Sequence, residues 1–127
     1  MIFAIGHDIV ENERIARLLD TYGQQFIDKI LSNTEQMALF SRQNKARFIA
    51  KRFAAKEAFA KACGTGLRSP ILMPQISVTN DALGKPSFIF TPAINRWLHE
   101  HQIIHCHLSL SDEINLSSAF VVLERNL

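Results

Sequence analysis

The sequence predicts an α+β domain, with an N-terminal strand and helices followed by an antiparallel sheet. Three observations predict it: one apolar strand at the start, a run of helical patterns through the first half, and a cluster of short β-rich segments in the second. Residues 2–10 read as a buried strand, apolar on both sides of Gly6, with Asp8 near its end. Over 11–22, Ile15, Leu18 and Leu19 recur at helical spacing, and Gly23 stops the helix. A second short helix covers 24–31. Ser32, Asn33, Thr34 and Glu35 offer a turn and cap before a third helix ending near Arg42. The span 44–63 runs about 20 residues without Gly or Pro, is rich in Ala, Lys, Arg and Phe, and is closed by Gly64-Thr65-Gly66. Strands follow at 76–79, 87–90, 105–111 and 116–123. Turn residues at 80–86 suit a hairpin, Thr91 and Pro92 open a helix over 92–100, and Asp112-Glu113 turn the last two strands into an antiparallel pair.

With 127 residues, the chain has the size of one domain, 1–127. Its 47% hydrophobic and 20% charged residues exclude disorder as a description of the whole. No apolar run approaches the roughly 20 residues of a membrane helix, and the N-terminal run lacks the basic start of a signal peptide. Cys63 and Cys106 have no CxxC spacing, so free thiols and a cytoplasmic protein are expected. Net charge is only +2, but seven of the 14 Lys and Arg fall between Arg42 and Lys61: Arg42, Lys45, Arg47, Lys51, Arg52, Lys56 and Lys61. Such a segment meets an anionic partner, or several acids elsewhere in the fold.

Glu57 is the one acid in that segment. On a helical wheel Ala46, Ala50, Phe53, Ala54, Ala60 and Lys61 lie within about 60° of it, while Phe48 and Phe59 lie opposite, so the helix is expected to pack on two faces. A carboxylate in a small-residue stripe needs a cationic partner. An i,i+4 pair with Lys61 is one reading. The other joins Glu57 to Asp8, also in apolar company, as a magnesium site serving a polyphosphate ligand. Gly64-Thr65-Gly66 is a helix stop or a loop near phosphates; no GK[ST] follows it. His105 and His107 share a strand face without further ligands at zinc spacing, and Ser109 lacks the glycines of a nucleophile elbow.

Three segments together resemble one family, the 4′-phosphopantetheinyl transferases in their small bacterial form. Ile5-Gly6-His7-Asp8-Ile9-Val10-Glu11, leading to Arg14-Ile15, resembles the family's G-x-D segment. Residues 52–66, with Lys56-Glu57-Ala58 and Lys61 before the glycine turn, are similar to its K-E-A-x-x-K helix. His107-Leu108-Ser109-Leu110-Ser111-Asp112 is similar to its H-x-S-x-S strand, and Gly84-Lys85-Pro86 to its G-K-P loop. Order and spacing agree along essentially the whole chain.

The resemblance implies a fold assembled as a homotrimer, with active sites at subunit interfaces. It implies transfer of 4′-phosphopantetheine from coenzyme A to a serine of apo acyl carrier protein, releasing 3′,5′-ADP, with Mg²⁺, in support of fatty acid biosynthesis. Asp8 and Glu57 would hold the metal, and Glu57, Lys61 and His107 would be the catalytic set. Lys45, Arg52, Lys61, Gly64, Gly66, Gly84, Lys85, Pro86 and His107 would bind the coenzyme. Arg14 and Arg17 would dock the carrier protein, although Glu11, Glu13, Asp20 and Asp28 dilute the basic character of the first two helices. The rival reading is a small basic nucleic-acid-binding module without catalysis, with 42–61 laid on the nucleic acid. Against it, the basic residues point in several directions around the wheel rather than along one stripe.

Overall fold

The computed structural model describes residues 1–126. Strand β1 (Ile2–Glu11) leads into helices α1 (Asn12–Tyr22), α2 (Gln24–Ile30), α3 (Asn33–Leu39) and α4 (Lys45–Cys63). After a 3-10 turn at Met73–Gln75 come β2 (Ile76–Asn80), β3 (Pro86–Phe90), α5 (Pro92–Glu100), β4 (Ile103–Asp112) and β5 (Leu116–Arg125). The architecture is α+β, as expected, but the strands divide into two sheets. β1 joins the last two strands in an antiparallel sheet of order β1-β5-β4, while β2 and β3 form a separate hairpin.

Helix α4 explains the division, because it is buried on two sides. Its small residues Ala54, Ala58 and Ala62 are buried along with the inward side chains Val10, Ala119 and Val121 of the three-stranded sheet. On another side Phe59 meets Phe88 and Phe90 of the hairpin, with ring centroids 5.3 and 4.7 Å away. Backbone meets backbone where β1 crosses the helix: a Cβ on Gly6 would lie 1.9 Å from the Ala58 carbonyl oxygen and 2.9 Å from the Ala62 nitrogen. Only glycine permits that approach. Strand alternation then sends Ile5, His7 and Ile9 of β1, with Phe120 of β5, to the outer face, where all four are exposed.

A second anchor is ionic. Lys56 of α4 has no exposed surface, and its ammonium donates to the Ile30 carbonyl and to Glu35 Oε1, each at 2.5 Å. Glu35 is the third residue of a capping box with Ser32, whose amide donates to the same oxygen at 2.9 Å. Its other oxygen accepts from the Val78 amide of β2 at 2.9 Å. The Lys56–Glu35 pair therefore ties the end of α2 through Lys56 and the start of α3 and the edge of the hairpin through Glu35 to the middle of α4. Removing one partner of such a buried pair costs about 3–5 kcal/mol.

Element ends shift slightly from expectation. Glu11 remains in β1, and α1 starts at Asn12, whose side-chain amide donates to the Glu113 and Ile114 carbonyls at 3.0 and 3.1 Å. The third helix ends at Leu39 rather than near Arg42: the chain leaves it through turn bonds from the Ser41 amide to the Ala38 carbonyl and from the Arg42 amide to the Leu39 carbonyl, and Lys45 Nζ donates to the Leu39 carbonyl at 2.8 Å and the Arg42 carbonyl at 3.2 Å. β4 begins at Ile103, ahead of the expected His105, through an irregularity in its register with β5.

Gly6→Ala should lower stability by about 3 kcal/mol, the upper range for overpacking, since the clashing atoms are backbone. Urea denaturation measures it, and a midpoint matching wild type would refute the close-approach account.

Candidate active site

Asp8 sits on the inward face of β1, opposite Ala119 of β5, and looks across to the C-terminal half of α4. Lys61, one turn before the helix end, reaches it: Nζ donates to Asp8 Oδ1 at 3.0 Å and to the His7 carbonyl at 3.1 Å. The expected i,i+4 pair of Glu57 with Lys61 is not the one formed: the ion pair of Lys61 is with Asp8. Glu57 stands beside them, half-buried. Burial pushes its carboxyl above the usual carboxylate range, Asp8's charge adds to the rise, and Lys61 and Arg14 oppose it. Two carboxylates from different elements thus share one place with one lysine. A cleft of about 460 Å³ opens next to Glu57, walled by Ile30, Phe53, Leu67, Leu72 and Met73.

Gly64 closes α4 in the left-handed region at φ 77°, with its amide donating to the Lys61 carbonyl at 3.0 Å, and Gly66 follows at φ 64°. The Gly64 amide is therefore spent on the helix end. Arg14 lies over the Phe53 ring at 5.7 Å, near Glu57, while Arg17 is exposed and paired with Glu13 at 3.4 Å.

Arg52 lies about 140° around α4 from Glu57. Its guanidinium is turned inward, 7% exposed, with Nε 3.5 Å from Glu35 Oε2 and its carbon 3.7 Å above the Phe48 ring. Burial pulls it down to about 10, with Arg42's charge adding to the shift and Glu35 opposing it. Arg52, Arg42, Thr34, Thr79 and Asn80 line a second cleft of about 230 Å³. Asn80 ties that cleft to the Gly84-Lys85-Pro86 turn, donating to the Gly84 carbonyl at 3.0 Å and pairing with Pro86. Gly84 holds φ 88°, and the Lys85 amide donates to Asp81 Oδ1 at 2.9 Å. Lys45 is occupied with the α3–α4 connection.

His107 is on the outer face of the sheet, hydrogen-bonded through Nε2 to Glu124, whose carboxyl that bond holds below the usual range. The structure therefore does not bring His107 to Asp8 and Glu57 within one chain: strand alternation puts them on opposite faces. His105 shares the outer face with His107, ring centroids 6.0 Å apart. Both cysteines are free, and burial pushes the Cys63 thiol to about 12 and Cys106 to about 11, which makes neither a nucleophile at neutral pH.

Sequence reasoning missed Glu35 as an ion-pair centre and Phe48 as a platform for cations. The capping-box spacing from Ser32 to Glu35 gave the local role, but nothing local announces Lys56 and Arg52 on the same carboxylate. Four of the seven clustered cations are answered by acids within the fold: Arg47 by Asp112 at 2.6 Å, Arg52 and Lys56 by Glu35, and Lys61 by Asp8.

The sequence profile of the 4′-phosphopantetheinyl transferase superfamily matches residues 4–119. The holo-[acyl-carrier-protein] synthase of Nitrosospira multiformis is 49% identical over 125 residues, covering 98% of this chain and 100% of that protein. The crystal structure of the Neisseria meningitidis holo-[acyl-carrier-protein] synthase superposes with a TM-score of 0.95 at 46% identity, covering 98% of this chain and 100% of that one. The Bacillus anthracis synthase, solved in complex with CoA (3′,5′-ADP), gives a TM-score of 0.84 at 37% identity over 99% of each chain.

Because the Glu57 carboxyl is raised, its ionised form is a net cost to the folded state at neutral pH. Glu57→Gln should therefore melt higher than wild type in the absence of ligands. The gain should be fully present above the raised value, fade as pH falls from there to the ordinary carboxylate range, and be gone below it, where the carboxyl is neutral in both the folded and the unfolded chain. Melting curves from pH 4 to pH 8 check this, and a variant no more stable at pH 7 would refute it.

Proposed function

As this chain belongs to the 4′-phosphopantetheinyl transferase superfamily, we propose that it is a magnesium-dependent, cytoplasmic enzyme that moves 4′-phosphopantetheine from coenzyme A to a serine of apo acyl carrier protein, in support of fatty acid biosynthesis. The observation that carries this reading is the cluster of Asp8, Glu57 and Lys61, set by β1 and α4 at one crossing.

The residues present fit a hard dication. The donors are carboxylate oxygens from two elements, Asp8 on β1 and Glu57 on α4; burial raises the Glu57 carboxyl and the charge of Asp8 adds to the rise. Two carboxylates leave most of the coordination to phosphate oxygens and water, which is how Mg²⁺ is ordinarily held on a polyphosphate. When bound, the metal would neutralise charge developing on the pyrophosphate. Lys61, already aimed at Asp8, supplies a positive charge at the same place and steadies the leaving phosphate oxygen of 3′,5′-ADP. Glu57 is the first candidate to receive the serine proton, through an intervening water, and His107 the second. The cleft beside Glu57 takes the uncharged pantetheine arm. Gly64 and Gly66 let the chain turn away just beyond Lys61.

The second cleft takes the nucleotide end: Gly84, Lys85 and Pro86 by the adenine, Arg52 and Arg42 by the 3′-phosphate, with Lys45 nearby. Within one chain this cleft and Glu57 lie on different sides of α4, and His107 lies on the far face of the sheet. A homotrimer formed on the outer sheet face, where Ile5 is 58% and Phe120 43% exposed, would bring these pieces together at its interfaces. The nucleic-acid alternative loses its surface, since the cations of 42–61 are largely turned to acids and carbonyls of the chain itself.

Transfer is tested by the mass gained by apo acyl carrier protein on incubation with enzyme, coenzyme A and Mg²⁺. Coenzyme A and Mg²⁺ together should raise the melting temperature beyond the sum of their separate effects, by several degrees at about 100 times Kd. Asp8→Ala should remove both that synergy and the mass gain; full turnover in this variant would end the metal assignment. For docking, Arg14→Ala should raise KM for carrier protein about tenfold, as for one lost charge-assisted contact, with KM for coenzyme A little changed. Equal effects on both KM values would instead place Arg14 with Glu57, whose carboxyl it already influences.

A further inference from the structure

Phe48 is a buried ring with a guanidinium on each of two contacts: Arg52 at 3.7 Å and Arg42 at 5.0 Å from its centroid. Both arginines line the smaller cleft, with Thr34, Thr79, Asn80 and the nearly buried Glu35. Like charges held this close repel, and Arg52 is also nearly removed from water, so the arrangement needs other groups to hold it. Two do so. The Phe48 ring attracts both cations through its face. Glu35 faces the buried Nε of Arg52, an atom that has no hydrogen-bond partner in the structure. Glu35 does not thereby cancel the cleft's charge. Its oxygens are already taken up by the Lys56 ammonium and by the Ser32 and Val78 amides. One carboxylate against Lys56, Arg52 and Arg42 leaves the neighbourhood clearly positive.

We infer that Glu35 and Phe48 are positioning residues that hold Arg52 and Arg42 together as a ready-made receptor for the 3′-phosphate of the donor. The cost of confining two rotamer-rich cations is met in the folding of the chain, so phosphate arrives at donors already in place. Glu35 also fixes the cleft relative to the transfer site, because Lys56 on the same carboxylate is the residue before Glu57. This inference rests on the reading that the cleft receives the nucleotide end of coenzyme A.

The test compares coenzyme A with 3′-dephospho-coenzyme A as donor, using the full chain and apo acyl carrier protein. Wild type should prefer coenzyme A in kcat/KM by at least about tenfold, the scale of a hydrogen bond to a charged group, and Arg52→Lys should lose most of that preference. Glu35→Gln and Phe48→Leu, which leave both arginines in the sequence, should also lose most of it, chiefly through KM for coenzyme A. A purely structural role would lower turnover of both donors by the same factor and leave the ratio intact. Should Glu35→Gln fail to fold, Phe48→Leu still decides, since it keeps the Glu35–Lys56 pair. If Arg52→Lys loses the preference while both other variants keep it, Arg52 reads the phosphate unaided and the inference is overturned, although the cleft assignment stands. If wild type uses the two donors equally, the cleft assignment falls and the inference with it. If wild type transfers from neither, the proposed function itself has failed.

Discussion

A lysine with no exposed surface stands in the middle of the longest helix, and the rest of the structure depends on how it is answered. Burial pulls Lys56 down to about 8, so near neutral pH it is still a cation in a dry interior, tolerable only beside a full negative charge. Glu35 supplies that charge, and the remaining bonds of both groups draw in the end of α2, the start of α3 and the edge of β2. Such a pair adds little net stability over well-packed apolar residues of the same volume; what it fixes is geometry. With Lys56 pinned, α4 cannot rotate about its axis. Arg52 is then turned toward the hairpin side and Glu57 and Lys61 toward β1.

The close approach at Gly6 supplies the other half of that geometry. The ion-pair network sets the rotation of α4, and the missing side chain on β1 sets its distance from the sheet. Asp8 lies two residues beyond Gly6 on the same face of the strand, so it inherits the short separation and comes within reach of Lys61. A larger residue at position 6 would push the carboxylate away from the helix that carries its partners. Two effects meet at this crossing: Gly6 permits tight packing, while burial of Glu57 and the charge of Asp8 raise the Glu57 carboxyl above the usual range.

Much of this was legible in the sequence, wherever the signal is local. The helix around Glu57, the hairpin turn at 80–86, the strand containing Asp8 and the turn at Asp112-Glu113 all follow from periodicity and turn residues, and the structure has each of them. The wheel separated Glu57 from Phe59, and the structure puts them on different contacts of α4. What a sequence does not carry is partnership over distance. β1 pairs with β5 across more than a hundred positions, and nothing in either strand names the other. The sequence left Lys56 and Arg52 to an anionic partner or to acids elsewhere in the fold without naming one, because Glu35 lies in another helix and looks like a cap. The sequence offered Lys61 only Glu57, four residues back on the same helix, and only the crossing of β1 over α4 brings Asp8 to it.

The same long-range logic bears on assembly. Strand alternation is strict, so Asp8 facing α4 obliges Ile5, His7 and Ile9 to face outward, and the register of β4 on β5 sends His107 to that outer side as well. A one-residue slip that brought His107 inward would put Leu108 and Leu110 into water and strip the core of its sheet face. The sequence therefore accommodates both demands only by placing its polar histidine strand and its apolar outer residues on one surface. That surface is too apolar at Ile5, Ile9 and Phe120 to be designed for water alone, yet it carries His107 held by Glu124. The outer face thus sets His107, held by Glu124, among exposed apolar side chains, on the side of the sheet away from Asp8 and Glu57.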